Sequence, residues 1–240
     1  GGAGKDRLDG GGGQNLLEGG AGNDTYVWRS DLDQIGGEAA FSTGGGIDTV
    51  RAFVDYIQPK NIELVRLGYV ADALALNATG NDAPGTLVGN AANNVLTGRG
   101  GNDQINGNAG DDILTGNTGR DTLVGGLGND QFIYTAYADS RAGSANRDVI
   151  NGFSHDGDRI DLRAMDANTL TFGDNEEFRF IGGAAFGGDG LSSAGELRTQ
   201  SLGSGVNAVL IEADHNGDGV ADLQIFVNVT NYMTGSDFLL

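Results

Sequence analysis

The chain has no cysteine, so disulfide bonds and thiolate metal sites are excluded. This fits either a reducing cytosol or an exported protein that metal ions stabilise. Proline occurs only twice, which argues against a collagen-like chain or a stiff linker. No apolar run approaches the roughly 18–20 residues of a membrane-spanning helix. The sequence begins inside a glycine-rich repeat, with neither an initiator methionine nor a signal peptide, so we expect a piece of a longer protein.

Basic residues are scarce: 14 Lys and Arg stand against 33 Asp and Glu, for a net charge of −19. Phosphate contacts need clustered Lys and Arg, so a nucleic-acid partner is excluded and anionic membrane surfaces are disfavoured. The acidity either keeps the chain soluble and expanded or is neutralised by multivalent cations.

Glycine, in contrast, fills 44 positions and recurs with a period of nine residues. Units of this length begin at Gly1, Gly10, Gly19, Gly80, Gly89, Gly98, Gly107, Gly116 and Gly125. Position 6 is Asp or Asn in every unit except the one with Gly85, namely at Asp6, Asn15, Asp24, Asn94, Asp103, Asp112, Asp121 and Asp130. Position 8 is always apolar, at Leu8, Leu17, Tyr26, Leu87, Leu96, Ile105, Leu114, Leu123 and Phe132.

An apolar residue at position 8 of all nine units favours a folded coil over a disordered glycine-rich tether. A disordered tether would have no reason to repeat an apolar residue at a fixed position. Six residues per unit predict a wide turn, in which glycine tolerates positive φ, and three predict a short strand with one inward side chain. Two units then make one full turn, so aspartates eighteen residues apart stack. Stacked carboxylates repel unless a cation lies between them, and their oxygens suit Ca²⁺. With so thin a core, the coil is expected to need its metal to fold.

These units resemble the RTX (hemolysin-type) calcium-binding repeat, G-G-x-G-x-D-x-U-x, over residues 1–27 and 80–133. The resemblance implies an all-β fold: a parallel β-roll that binds several Ca²⁺ ions. In such a roll, one turn supplies carbonyls at positions 2 and 4 and the next supplies those at 1 and 3, each with its aspartate. The implied ligand sets are Arg99, Gly101, Asp103, Gly116, Thr118 and Asp121; Asn108, Gly110, Asp112, Gly125, Leu127 and Asp130; and Gly2, Gly4, Asp6, Gly19, Ala21 and Asp24.

Extending the nine-residue period predicts further members. Asp139 is expected to close the site opened by Asp121, and Asp148 the one opened by Asp130. Asp33 is expected to serve with Asn15. Asn94 offers one neutral oxygen and Gly85 no side chain, so residues 80–97 are expected to hold calcium weakly or not at all.

Four regions follow: a first RTX block at 1–27, a strand-rich spacer of metal-free rungs at 28–79, a second block at 80–147 and a β-sandwich-like cap at 148–240. From Asp148 onward the sequence RDVINGFSHDGDRIDLRAMD resembles the C-terminal module of serralysin-type metalloproteases. The ending, Asp237 to Leu240, resembles the export signal by which such proteins engage the type I secretion machinery. The resemblance therefore implies a secreted protein of a Gram-negative bacterium.

Other candidate sites are weaker. Residues 214–222 resemble half of an EF-hand loop, but Ile225 stands where the bidentate glutamate belongs, so a hairpin tip is favoured over a calcium site. His155 and His215 are predicted to be surface loop residues rather than zinc ligands. Neither H-E-x-x-H nor G-x-S-x-G occurs, so we predict no catalytic residue in this chain.

The leading hypothesis is a calcium-binding module that is extended during type I export and folds in extracellular calcium. A second is a polysaccharide-binding module, as in the repeat modules of alginate epimerases, using Arg51, Lys60 and Arg66. A third makes the chain the C-terminal part of a secreted protease, lipase or surface adhesin.

Overall fold

A computed structural model describes residues 1–38, 44–168, 170, 176–187, 194–202, 207–229 and 232–240. Within these ranges the regular structure is almost entirely short β-strands, with one 3₁₀ turn at Gly235–Asp237. None of the described segments forms a helix with the length and apolar character needed to cross a membrane.

The strands number 23 in the described residues. They are β1 Gly2–Ala3, β2 Arg7–Asp9, β3 Leu16–Leu17, β4 Gly20–Ala21, β5 Thr25–Trp28, β6 Gln34–Ile35, β7 Thr49–Ala52, β8 Tyr56–Ile57, β9 Leu64–Leu67, β10 Ala78–Thr79, β11 Thr86–Val88, β12 Val95–Gly100, β13 Gln104–Ala109, β14 Ile113–Thr118, β15 Thr122–Leu127, β16 Gln131–Ile133, β17 Asp148–Asn151, β18 Arg159–Asp161, β19 Arg179–Phe180, β20 Glu196–Ser201, β21 Ala208–Asp214, β22 Leu223–Asn228 and β23 Phe238–Leu239.

Two large sheets face each other, and the chain crosses from one to the other with each successive strand of the repeats. One has the order β23-β18-β16-β14-β12-β10-β8, and the other β19-β20-β21-β22-β17-β15-β13-β11-β9-β7-β5-β2. Neighbouring strands of the second block are parallel and eighteen residues apart, as in the pairing of Leu96 with Leu114 and of Ile105 with Leu123. The predicted parallel β-roll is confirmed.

The core of the roll is a double row of position-8 side chains. Leu96, Ile105, Leu114, Leu123 and Phe132 are each at most 1% exposed. The residues on either side of them in each strand point away from this row, because successive side chains of a strand alternate between faces. One inward residue per nine therefore does supply the core, as the period predicted.

The spacer continues the same coil. Strands β7 and β9 link β5 to β11 in the larger sheet, and β8 and β10 lie beyond β12 in the smaller one, all in parallel. No break in the larger sheet therefore separates the two repeat blocks.

The C-terminal region extends both sheets. Strand β17 pairs with β22, which forms an antiparallel hairpin with β21, and β20 adds to its other edge. Residues 215–222 connect the hairpin, so the predicted hairpin tip is confirmed. The final strand, β23, lies parallel to β18 and places Phe238, which is 5% exposed, beside Ile160.

Candidate calcium sites

Seven of the nine six-residue turns have left-handed backbone at positions 2 and 4, and the exceptions are the units that begin at Gly80 and Gly89. In the last repeat the two positions are Gly126 and Gly128, with φ of 119° and 133°. Three non-glycine residues at position 2 also take positive φ: Arg99 at 83°, Asn108 at 77° and Asn117 at 62°. For L-residues this conformation is costly, and it persists because stacked turns share backbone hydrogen bonds. One such pair is Gly2 N–H to Gly19 O and Gly4 N–H to Ala21 O, both 2.7 Å.

A ladder of aspartates runs along each edge of the roll. The backbone N–H at position 6 donates to Oδ1 of the residue at position 6 one turn later, as from Asp103 to Asp121 at 2.8 Å and from Asp112 to Asp130 at 2.9 Å. The same contact joins Asp6 to Asp24, Asn15 to Asp33, Gly85 to Asp103 and Asn94 to Asp112. One oxygen of each carboxylate thus holds two turns together.

The second oxygen of these carboxylates has no hydrogen-bond partner among the described residues. The buried Oδ2 atoms in this state are those of Asp6, Asp24, Asp33, Asp48, Asp103, Asp112, Asp121 and Asp130. A buried carboxylate oxygen is costly unless a donor or a cation compensates it. In the repeat units this oxygen faces the position-1 glycine of its own turn: a Cβ on Gly116 would lie 2.2 Å from Asp121 Oδ2, and the same holds for Asp6, Asp24, Asp103, Asp112 and Asp130. The unmet oxygens, with turn carbonyls nearby, form the hard-oxygen donor set that Ca²⁺ prefers.

Burial also raises the pKa of the ladder aspartates from Asp103 onward. The pKa of Asp103 rises to about 6, and those of Asp112 and Asp121 rise to about 7, chiefly by burial and, for the latter two, also by neighbouring aspartates. Asp148, where burial is followed by the charge of Asp121, has its pKa raised to about 9. Without a cation, the folded roll therefore disfavours the charged form of its own ladder.

The predicted ligand sets lie in stacked turns. Asn117 pairs with Arg99 and Thr118 with Gly100 across β12 and β14, and Leu127 pairs with Ala109 across β13 and β15. The aspartates of all three sets are brought together in pairs, and Asp33 meets Asn15 as expected. That these groups hold the ions stays a prediction.

The expected roles of Asp139 and Asp148 need correction. Asp121 N–H donates to Asp148 at 2.7 Å, and Asp130 N–H donates to Asp158 at 3.0 Å. The reason is that residues 134–147 form a longer loop instead of a tenth unit, so the ladder resumes 27 residues after Asp121. Asp139 instead closes that loop, accepting from Thr135 N–H at 2.8 Å.

Asp139 nevertheless lies near the ladder. It is 3% exposed, and its charge contributes to the raised pKa values of Asp121 and Asp148. Asp158 was missed, although its sequence gives a signal. It precedes the buried Ile160 by two residues, which is the spacing of the repeat aspartates before their apolar residue.

Asn94 is hydrogen-bonded to residues of its own turn and of the adjacent one. Its Nδ2 donates to Leu76 O at 2.8 Å and to Asn90 Oδ1 at 3.1 Å, and its Oδ1 accepts from Asn90 N–H at 2.9 Å. These contacts support the expectation that residues 80–97 hold calcium weakly.

The other candidates are occupied by local contacts. Asp214 Oδ1 accepts from Gly217 N–H at 2.7 Å and Oδ2 accepts from Gly219 N–H at 2.8 Å, so the hairpin tip satisfies its own aspartate. His155 and His215, predicted at the surface, are partly buried and each contacts one aspartate, Asp237 or Asp222. Across the described ranges, neither histidine joins a cluster of three metal-ligating side chains.

Comparisons with known proteins give two family matches. Residues 36–238 match the model described as Peptidase M10 serralysin C terminal, and residues 1–27 match that of the RTX calcium-binding nonapeptide repeat. No curated protein matches the chain.

The solved structures that are similar to this chain include two subunits of the Azotobacter vinelandii mannuronan C5-epimerase. The AlgE6R3 subunit is 23% identical, with 67% of this chain and 80% of that chain covered and a TM-score of 0.47. The AlgE6R2 subunit is 24% identical, with 70% and 94% covered and a TM-score of 0.45. Since the first family model spans most of the sequence, the chain belongs to the Peptidase M10 serralysin C-terminal family and carries RTX calcium-binding repeats at its N-terminal end.

Proposed function

We propose that this chain is a calcium-dependent folding module of a protein exported by a type I secretion machinery. The observation that carries the proposal is the row of buried carboxylate oxygens without a partner. A single buried carboxylate in this state is costly, and the ladders repeat it in turn after turn. Bound Ca²⁺ supplies the positive charge that offsets this cost.

The two carboxylate oxygens of each ladder aspartate have different roles in this proposal. Oδ1 of each ladder aspartate fixes the spacing of the turns through a backbone hydrogen bond, and Oδ2 stays available for a cation. The position-8 row is too thin to overcome the repulsion of stacked carboxylates alone. At the low free calcium of a bacterial cytoplasm the chain therefore stays extended and can pass through a narrow channel. In the calcium of the external medium it folds.

The C-terminal motif fits the same scheme. In the folded chain Asp237 is 1% exposed and Phe238 is covered by the sheet, so a receptor would read these residues only in the unfolded chain. Folding after export would then bury the signal. We place the folded protein outside a Gram-negative cell on this reasoning.

The experiment is a far-UV circular dichroism titration of the whole chain from excess chelator into calcium. We expect a cooperative gain of β-structure. Magnesium at the same concentration is the control, and it should be much less effective because it demands rigid octahedral geometry and gives up its water reluctantly. A spectrum that does not change between chelator and calcium would overturn the proposal.

A second candidate function, polysaccharide binding, has one observation in its favour. Arg51 and Arg66 pair directly in β7 and β9, and the Arg51 guanidinium lies 4.9 Å from the centre of the Tyr69 ring, which is 54% exposed. A cation beside an exposed aromatic ring suits an acidic sugar polymer. Retention of the calcium-loaded chain on immobilised alginate, lost in Arg66→Ala, would support it; absence of retention would count against it.

A further inference from the structure

Three carboxylates meet where the first repeat block joins the spacer. One oxygen each of Asp24, Glu38 and Asp48 lies within 4.8 Å of the other two. Glu38 and Asp48 lie outside the matched repeats and inside the segment that the sequence predicted to be free of metal. The cluster therefore shares Asp24 with the first block's ligand set and adds two carboxylates that belong to none of the sets given above.

The turn that carries Asp48 has the backbone geometry of a repeat turn, although its sequence does not match the repeat pattern. Gly44 and Gly46 take φ of 94° and 92°, as positions 2 and 4 do elsewhere. Gly22 N–H donates to Gly45 O at 2.9 Å and Asp24 N–H donates to Asp48 Oδ1 at 2.8 Å, which repeats the contacts between ordinary turns. The separation of 24 residues instead of eighteen leaves an additional segment between the two turns.

Glu38 lies in that additional segment and reaches back over the preceding turn. Its Oε1 accepts from Gly19 N–H at 2.8 Å and from the hydroxyl of Tyr26. Its backbone carbonyl accepts from Asn61 Nδ2 at 3.0 Å. The carboxylate is thus held in place by one oxygen, and within the described part of the chain the other oxygen, Oε2, has no hydrogen-bond partner.

The two aspartates of the cluster also each have a carboxylate oxygen without a hydrogen-bond donor among the described residues. Asp24 and Asp48 are 1% and 0% exposed, and Oδ2 of each is buried without a hydrogen bond. Glycine keeps the space open, because a Cβ on Gly19 would lie 2.2 Å from Asp24 Oδ2. Three buried or half-buried carboxylates, each with one free oxygen, are strongly unfavourable together unless a cation joins them.

We propose that Asp24, Glu38 and Asp48 form an additional Ca²⁺ site that fastens the first repeat block to the spacer. It rests on the proposed function, since it assumes that the turns take up calcium. It differs from the ladder sites in its third carboxylate, which comes from outside the repeats. Because affinity for calcium rises with the number of charged ligands, this site should fill before the two-carboxylate sites.

The first test counts calcium ions by equilibrium dialysis on the full chain. Glu38→Gln keeps the size and the hydrogen-bond acceptor but removes the charge, and we expect it to lose one ion from the tightest class of sites. Glu18→Gln is the matched control, because Glu18 is exposed, directly precedes Gly19 and lies outside the cluster. Wild-type stoichiometry and affinity in Glu38→Gln would overturn the proposal.

A second measurement does not depend on a variant that folds. Anomalous diffraction from calcium-grown crystals of the wild-type chain should show a peak within about 2.3–2.6 Å of oxygens from all three residues. Calcium peaks at the ladders with none at this cluster would overturn the additional site alone. No uptake of calcium anywhere in the chain would overturn the proposed function itself, so the two failures are distinguishable.

Discussion

The backbone N–H of Asp103 donates a 2.8 Å hydrogen bond to Oδ1 of Asp121, while Oδ2 of Asp121 is buried with no partner. The two oxygens of one side chain thus serve different purposes. One fixes the distance between successive turns, and the other carries charge that nothing in the described chain offsets. Substitutions that keep the first role and remove the second separate folding geometry from calcium binding.

Asp121→Asn makes that separation. The amide retains an oxygen for Asp103 N–H but removes the charge from a site that two turns share. We expect the calcium concentration at the midpoint of folding to rise by at least roughly tenfold, the scale seen even for residues that only support metal ligands. The titration is followed by far-UV circular dichroism.

Asp111→Asn is the matched control for this change. Asp111 is the exposed neighbour of the ladder, and its Oδ1 accepts from Asn129 N–H at 2.9 Å, a contact that asparagine also keeps. The midpoint should move far less, because water and salt screen an exposed charge. Equal shifts in the two variants would mean that net charge, and not a ligand, sets the calcium response.

Acid should partly replace calcium. Burial raises the pKa of Asp103 from 3.8 to about 6 and those of Asp112 and Asp121 to about 7, so the calcium-free roll binds protons more tightly than the unfolded chain does. This contribution to stability is fully present below about pH 4 and is lost as pH rises through 6 to 7. In chelator, far-UV circular dichroism should therefore show more β-structure at pH 5 than at pH 8.

With calcium bound, the dependence reverses. Protons then compete with the cation for the same oxygens, so the calcium midpoint should rise as pH falls. A chelated chain that is no more structured at pH 5 than at pH 8 would show that the ladder aspartates are not the groups that oppose folding.

How far the sequence predicts this structure depends on whether the nine-residue period is intact. The burial of Leu96 and Leu114 in the core is correctly predicted, and so is the stacking of Asp103 on Asp121. Both follow because these units have equal turn and strand lengths. Counting in nines along the sequence places Asp139 at position 6, but the backbone there forms a longer loop instead of a repeat turn. A one-dimensional period cannot show where a turn lengthens while the strand register is kept.

In the spacer the sequence pattern is not recognisable although the backbone does form a repeat turn. Asp48 was overlooked because its unit begins with threonine, although Gly44 and Gly46 supply the required positive φ. Glu38 carries no sequence signal at all, since its place beside Asp24 depends on the path of an inserted segment. Stacking in three dimensions, and not local pattern, brings these carboxylates together.

Gly126→Ala tests the close stacking of turns. Gly126 has φ of 119°, and a Cβ there would lie 2.0 Å from the carbonyl oxygen of Asn108 in the adjacent turn. Both the conformation and the contact are unfavourable, so we expect a loss larger than the roughly 1–2 kcal/mol of positive φ alone. The measurement is denaturant unfolding in saturating calcium.

Gly152→Ala provides the comparison. Gly152 also has positive φ, at 74°, but a Cβ there meets nothing within 4 Å. Its cost should reflect backbone conformation only. Equal losses in the two variants would indicate that the turns can move apart, contrary to the tight stacking of the ladder.

Leu114→Ala tests how much the inward position-8 side chains contribute to stability. Leu114 is 0% exposed and lies between Leu96 and Phe132 in neighbouring strands. Truncation of a buried leucine costs about 2–5 kcal/mol through lost transfer energy and the cavity left behind. In a solenoid each turn contacts mainly its neighbours, so this loss should also raise the calcium midpoint by weakening propagation of the coil.

Leu127→Ala is the control on the same roll, since Leu127 is 76% exposed and its predicted ligand atom is the backbone carbonyl. It should change the free energy of unfolding by no more than about 0.5 kcal/mol. Unfolding of both variants in saturating calcium gives the comparison. If Leu114→Ala lowered the free energy of unfolding no more than Leu127→Ala does, calcium would stabilise the roll without help from its core. The apolar residue at position 8 of every repeat would then need another explanation.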